Sequence, residues 1–73
     1  MEEKMDSRGN PYIDVGNVRI TYVPNTWDEI PGLRIQAYKQ DDRLHRGAEI
    51  PIQDKAMAFD LLEAILGILR RRW

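Results

Sequence analysis

DKAMAFDLLEAILGILRRRW, residues 54–73, decides the architecture of this 73-residue chain. Asp54 is a good helix N-cap, because its carboxylate can accept from the unpaired N–H groups of a first turn and suits the positive end of the helix dipole. Arg70, Arg71 and Arg72 stand at the other end, where cations offset the negative pole. One helix over residues 54–72 is predicted. At about 100° per residue, Asp60, Glu63, Gly67 and Arg70 fall on one narrow polar stripe. Met57, Ala58, Phe59, Leu61, Leu62, Ala64, Ile65, Leu66, Ile68 and Leu69 fill an apolar arc of roughly 220°, against about 100–140° that one sheet face covers. Two surfaces must therefore bury this helix. Leaving about three or four large side chains in water would forgo about 1.5–3 kcal/mol each, most of the stability of so short a chain. The expected solution is a homodimer whose helices meet across a two-fold axis through Phe59, Leu62, Leu66 and Leu69. A membrane-surface helix would carry Lys and Arg along its polar face, whereas here they gather at the end. No apolar run approaches about twenty residues, so no membrane partner is expected.

Upstream of the helix the period changes to two. Residues 12–15 (YIDV), 18–23 (VRITYV), 33–40 (LRIQAYKQ) and 48–53 (AEIPIQ) read as strands. Val18, Ile20 and Tyr22 share one face with Arg19 and Thr21 opposite; Leu33, Ile35 and Ala37 share one face with Arg34, Gln36 and Tyr38 opposite. Ile50 and Ile52 point inward, Glu49 and Gln53 outward. Pro51 cannot donate to a ladder, which suits an edge. Residues 1–10 are polar, with Gly9-Asn10-Pro11 as a breaker cluster, and are expected to be a flexible N-terminal tail. The predicted fold is α+β: one domain over residues 11–73, a curved four-stranded antiparallel sheet followed by one covering C-terminal helix, paired into a helix-mediated homodimer.

Composition narrows the chemistry. At 42% apolar and 32% charged the chain has ordinary globular character. It has no Cys, one His (His45) and one Ser (Ser7), which leaves no disulfide framework, thiolate site or Ser-His triad. No enzyme, catalytic residue, metal or cofactor is expected. Asp28-Glu29 and Asp41-Asp42 are adjacent carboxylates in loops, weak evidence for a metal or an acid–base pair. The acidic start, without an apolar core, is unlike a signal peptide and suggests a cytoplasmic protein.

Net charge is −1, unevenly spread. Residues 1–31 carry −3, residues 32–47 carry +2 with His45 beside them, and residues 48–73 balance. Strand parity gathers Arg19, Thr21, Arg34, Gln36 and Tyr38 on the face away from the helix, edged by Lys39, Arg43 and Arg46. Cations and an aromatic ring on an open sheet can track a sugar-phosphate backbone and stack the bases of a single strand. Any half-wet antiparallel sheet also carries such residues. Trp27, between Pro24 and Pro31, is either a loop anchor packed on the core or an exposed stacking platform; its position alone favours the anchor.

Val15-Gly16-Asn17-Val18-Arg19, a strand, an aromatic-bearing loop, a strand ending in Tyr38-Lys39, a charged loop, the segment R-G-A-E-I-P-I (46–52) and a long helix follow one another in an order that resembles the positive cofactor four family of single-stranded-DNA-binding transcriptional coactivators. The chain departs from that pattern in its low Lys content, in Ala48-Glu49 and in Pro51. The resemblance implies a curved four-stranded sheet plus helix, dimerised through the helices, with grooves for single strands. It implies an aromatic role for Trp27, contacts near Tyr38 and Lys39, and a backbone contact at Arg46-Gly47. The expected function is a homodimeric, largely sequence-independent single-stranded nucleic-acid binder, with DNA the first candidate and RNA the second, nucleoid-associated and acting as a coactivator-like regulator. Its nucleic-acid-binding residues would be Arg19, Trp27, Arg34, Tyr38, Lys39, Arg43 and Arg46. The alternative is a small dimeric protein-interaction module that binds no nucleic acid.

Overall fold

The computed structural model describes residues 1–40 and 43–73; the Asp41-Asp42 pair lies outside the described residues. In chain order the elements are β1 (Glu3–Met5), β2 (Pro11–Val15), β3 (Val18–Val23), β4 (Gly32–Ala37), β5 (Ala48–Pro51) and α1 (Lys55–Arg72). The strands form one antiparallel meander in sequence order, so each pairs with its neighbour in the chain. Pro51 lies on β5 at an edge of the sheet, where its missing N–H is tolerated.

The register sorts the side chains by face. Across β3 and β4, Val18 opposes Ala37, Ile20 opposes Ile35 and Tyr22 opposes Leu33. Ile13 and Val15 of β2 join the same face opposite Ile20 and Val18, and Ala48 and Ile50 of β5 join it opposite Ile35 and Leu33. The other face carries Tyr12, Asp14, Arg19, Thr21, Val23, Arg34, Gln36 and Glu49. This division follows from alternation in the sequence.

Two expectations are corrected. The described sheet has five strands, not four, because residues 3–5 of the presumed tail pair with β2. Nothing in Glu-Lys-Met favours a strand; the hairpin is made by its turn. The Asp6 carboxylate accepts from the backbone N–H groups of Arg8 (2.9 Å) and Asn10 (2.8 Å), the Asp6 N–H donates to the Asn10 carbonyl at 2.9 Å, and Gly9 supplies the positive φ of 82°. With the turn closed, β2 offers an unpaired edge for residues 3–5 to complete.

The second correction concerns the helix. It forms where the spacing predicts it, with the Asp54 carboxylate accepting from the Met57 N–H at 2.9 Å and the Trp73 N–H donating to the Leu69 carbonyl at 2.9 Å. It does not cover the sheet: no residue of α1 is buried. Only its start leans on the strands, where Lys55 and Ala58 help line a hollow with Tyr22, Leu33 and Ile52. Among the described residues no helix is long and apolar enough to cross a membrane.

Closure occurs instead on the polar face. Val23, at 6% exposure, is the one buried apolar side chain among the described residues, beside buried Thr21 and Thr26. The loop after β3 folds back so that the Thr26 methyl lies against Gly32; a Cβ there would come within 2.8 Å of that methyl and 2.1 Å of the Ile50 carbonyl oxygen. The apolar face stays open, with Met5, Val15, Tyr22 and Ile35 exposed on it. The consequence is measurable. One chain has 6238 Å² of accessible surface, whereas a folded monomer of 8.6 kDa exposes about 4,700 Å². Its radius of gyration is 13.3 Å, against about 11 Å for a compact domain of this length.

Candidate functional site

A groove of about 640 Å³ crosses the polar face, lined by Trp27, Arg34, Gln36, Leu44, Arg46, Gly47 and Glu49. Its walls come from three pieces of chain: the loop after β3, the strand β4, and β5 with the segment that leads into it.

Trp27 is carried by a tight turn. The Thr26 N–H and hydroxyl both donate to the Ile30 carbonyl, at 3.0 and 2.6 Å. The Glu29 N–H donates to the Thr26 carbonyl at 2.9 Å, and Glu29 takes a φ of 61° to close the loop. The indole is 72% exposed, so Trp27 is not the core anchor that its position favoured. Its Nε1–H donates to the Glu49 carbonyl at 3.1 Å, which ties the ring edge to β5 and leaves the ring largely open to solvent at the groove. Thr26, not Trp27, anchors this loop.

Arg34 and Glu49 face each other across β4 and β5, with Arg34 Nη2 donating to Glu49 Oε2 at 2.9 Å. Gln36 Nε2 donates to the His45 carbonyl at 3.1 Å, and the His45 N–H donates to the Ala37 carbonyl at 2.9 Å. These two bonds hold the segment bearing Arg46 and Gly47 against β4. Gly47 sits so close that a Cβ would stand 1.8 Å from the Ile35 carbonyl oxygen. Its lack of a side chain is therefore a condition for the groove's floor. Lys39, Arg43, Leu44, His45 and Arg46 line an adjoining hollow of about 300 Å³, closed by the Lys39 N–H donating to the Arg43 carbonyl at 2.9 Å.

Arg19 and Tyr38 belong to a different cluster. Arg19 Nε and Nη2 donate to the two Asp14 oxygens at 2.9 and 3.2 Å, and Nη2 also donates to the Tyr38 hydroxyl at 2.6 Å. The guanidinium lies 3.9 Å from the Tyr12 ring centre and 5.5 Å from that of Tyr38, the geometry of a cation–π contact. Hydrogen bonding to Arg19 holds the Asp14 carboxyl below its ordinary value, and the same bond raises Arg19.

The seven predicted contact residues thus divide. Trp27, Arg34 and Arg46 meet in the groove, Lys39 and Arg43 extend it, and Arg19 with Tyr38 stands apart with its charge matched by Asp14. Lys39 and Arg46 are exposed and enter no ion pair among the described residues. Sequence reasoning missed Tyr12, Glu49 and the floor role of Gly47. Glu49 and Tyr12 become visible only once strand register is known, since Arg34 meets Glu49 directly and Tyr12 lies on the face of Arg19 in the neighbouring strand, and the role of Gly47 only once its backbone is seen against Ile35. The predicted helix contacts lie away from the groove: Phe59, Leu62 and Leu66 are exposed, and Leu69 is half-buried. No family model matches the chain, and neither a curated protein nor a solved structure does.

Proposed function

We propose that the chain is a homodimeric, non-catalytic binder of single-stranded nucleic acid, DNA before RNA, of the coactivator-like class that its motif order resembles. The observation that carries this proposal is the exposed Trp27 ring standing on the same groove as Arg46 and Arg34, with Lys39 and Arg43 continuing the cationic lining. An exposed indole supplies a stacking platform worth about 1–3 kcal/mol per base, indifferent to base identity to first order. Lys39 and Arg46 supply phosphate contacts, whose strength falls with salt through counterion release. Dimerisation is supported by the roughly 1,500 Å² by which one chain's surface exceeds that of a folded monomer of its mass. Twice that area falls in the range of obligate homodimer interfaces, about 2,000–5,000 Å².

A second function, a protein-interaction module, is favoured by the two matched pairs Arg19–Asp14 and Arg34–Glu49, which remove two cations from the polar face of a chain whose net charge is −1. Fluorescence anisotropy separates the two. A labelled mixed-sequence single strand, its RNA counterpart and its duplex are titrated at low and moderate salt with wild type, Trp27→Ala and the double reversal Lys39→Glu/Arg46→Glu. Single-strand binding that weakens with salt, drops in Trp27→Ala and vanishes in the double reversal supports nucleic-acid binding. No binding of any strand at low salt rejects it in favour of the protein partner.

A further inference from the structure

Glu49 is out of place in a groove built for a polyanion. Its carboxylate lines the same hollow as Trp27 and Arg46, where, with its charge matched by Arg34, it has no donor to offer a phosphate. It makes sense there if it meets hydrogen-bond donors, and a nucleic acid carries those on its bases.

The arrangement around it is specific. Glu49 Oε2 accepts from Arg34 Nη2 at 2.9 Å. Oε1 takes part in no hydrogen bond among the described residues, and the guanidinium retains further N–H groups beyond the one spent on Glu49. Both side chains are half-buried and both line the groove. Together they present guanidinium donors beside two carboxylate oxygens, since Oε2 keeps a lone pair beyond the one spent on Arg34. The Watson–Crick edge of guanine is the complement: an O6 acceptor next to the N1–H and N2–H donors. Thymine offers a single N3–H flanked by two carbonyl oxygens, which a carboxylate repels. Adenine and cytosine each set one donor group beside a ring-nitrogen acceptor, so they satisfy the guanidinium and one carboxylate oxygen but have no second adjacent donor for the other. Single strands leave these edges unpaired and accessible. The indole N–H of Trp27 is already committed to the Glu49 carbonyl, so that ring is left to stack and not to read.

We infer that the Arg34–Glu49 pair is a guanine-reading site within the groove, taking an unpaired guanine stacked on Trp27 with its phosphate toward Arg46. This rests on the nucleic-acid-binding function proposed above and adds to it a base preference that a stacking platform alone would lack.

The test uses the full chain and four labelled oligothymidines that differ only at one central position, occupied by G, A, C or T; a lone guanine avoids quadruplex formation. Anisotropy is expected to show the G strand binding about tenfold tighter than the T strand, the scale of one good bidentate contact. Glu49→Gln should bring the ratio of G-strand to T-strand affinity to about one, a ratio that is read independently of any change in overall affinity. Should Glu49→Gln fail to fold, Arg34→Lys, which keeps the charge but loses the planar fork, should reduce the preference. Titration of wild type with guanosine and thymidine monophosphates must then show the same order. Equal binding of all four strands overturns the guanine site while nucleic-acid binding stands. A preference that survives Glu49→Gln overturns it too. Failure of every strand to bind at low salt removes both.

Discussion

Phe59→Ala is the sharpest test of what covers the helix. Phe59 is 67% exposed in one chain, and an aromatic side chain presents about 150–250 Å² when free. Roughly 100–170 Å² is therefore available to a partner, worth about 2.5–4 kcal/mol at about 25 cal/mol per Å². Alanine keeps the β-carbon, which lowers the loss to about 2–3 kcal/mol per protomer. A two-fold interface counts the substitution twice, giving about 4–6 kcal/mol, or about three to four decades in the dimer dissociation constant. Alanine is also the best helix former, so any weakening cannot be blamed on the helix itself. Sedimentation velocity over a concentration series reads the change directly. The concentration dependence of the thermal midpoint reads it a second way if the monomer is unstable, because association shifts apparent stability by mass action. A wild-type chain that sediments at the mass of one copy at micromolar concentration would refute the reasoning. So would a Phe59→Ala dimer whose dissociation constant stays within about threefold of wild type.

Other substitutions probe the elements that shape the groove. Gly47→Ala places a methyl group 1.8 Å from the Ile35 carbonyl oxygen, a backbone clash beyond ordinary overpacking, so a loss of at least about 3 kcal/mol is expected in urea denaturation. Glu29→Gly relieves a left-handed φ of 61° and should stabilise by about 0.5–1 kcal/mol once the entropy of glycine in the unfolded chain is deducted; a midpoint that falls would show the conformation is not strained. The Asp14 carboxyl is held below its usual value of 3.8 by the hydrogen bond from Arg19. The stabilisation from this pair is thus complete above that value and lost as pH falls through the lowered one. Asp14→Asn should flatten the acid limb of the stability curve below about pH 4, and a limb identical to wild type would place the acid sensitivity elsewhere.

How much of this was legible in the sequence depends on the range of the interaction. Alternation in VRITYV and LRIQA fixed which side chains share a face, because a strand's period is a local property. The helix and its Asp54 cap were equally local. β1 is not legible because Glu3–Met5 carries no strand preference of its own; Gly9-Asn10-Pro11 marks a break, but the Asp6 carboxylate that closes the turn shows only in the structure. The position of α1 was missed for a different reason. Amphipathicity says that a helix must be covered, not by what, and a 220° apolar arc is satisfied as well by a second molecule as by the chain's own sheet. Ion pairs such as Arg34–Glu49 are separated by 15 residues and become predictable only after the β4–β5 register is known.

The unusual distribution of burial ties fold to function. In most half-wet sheets the apolar face is the dry one. Here Val23, Thr21 and Thr26 are buried on the polar side, where the loop after β3 folds over the sheet, while Ile35, Tyr22, Val15 and the helix stand open. A chain this short cannot close both sides with its own residues, and it lays the loop after β3 over the polar side. That loop carries Trp27. The side a second copy can dry is left bare, and the side a second copy would obstruct is the one prebuilt with a turn, a glycine floor and tethered side chains. Repacking Met5, Val15, Tyr22 and Ile35 to polar residues should therefore yield a weaker dimer with its groove intact, whereas a change at Thr26 or Gly47 should damage the groove while leaving the helix surface unaltered.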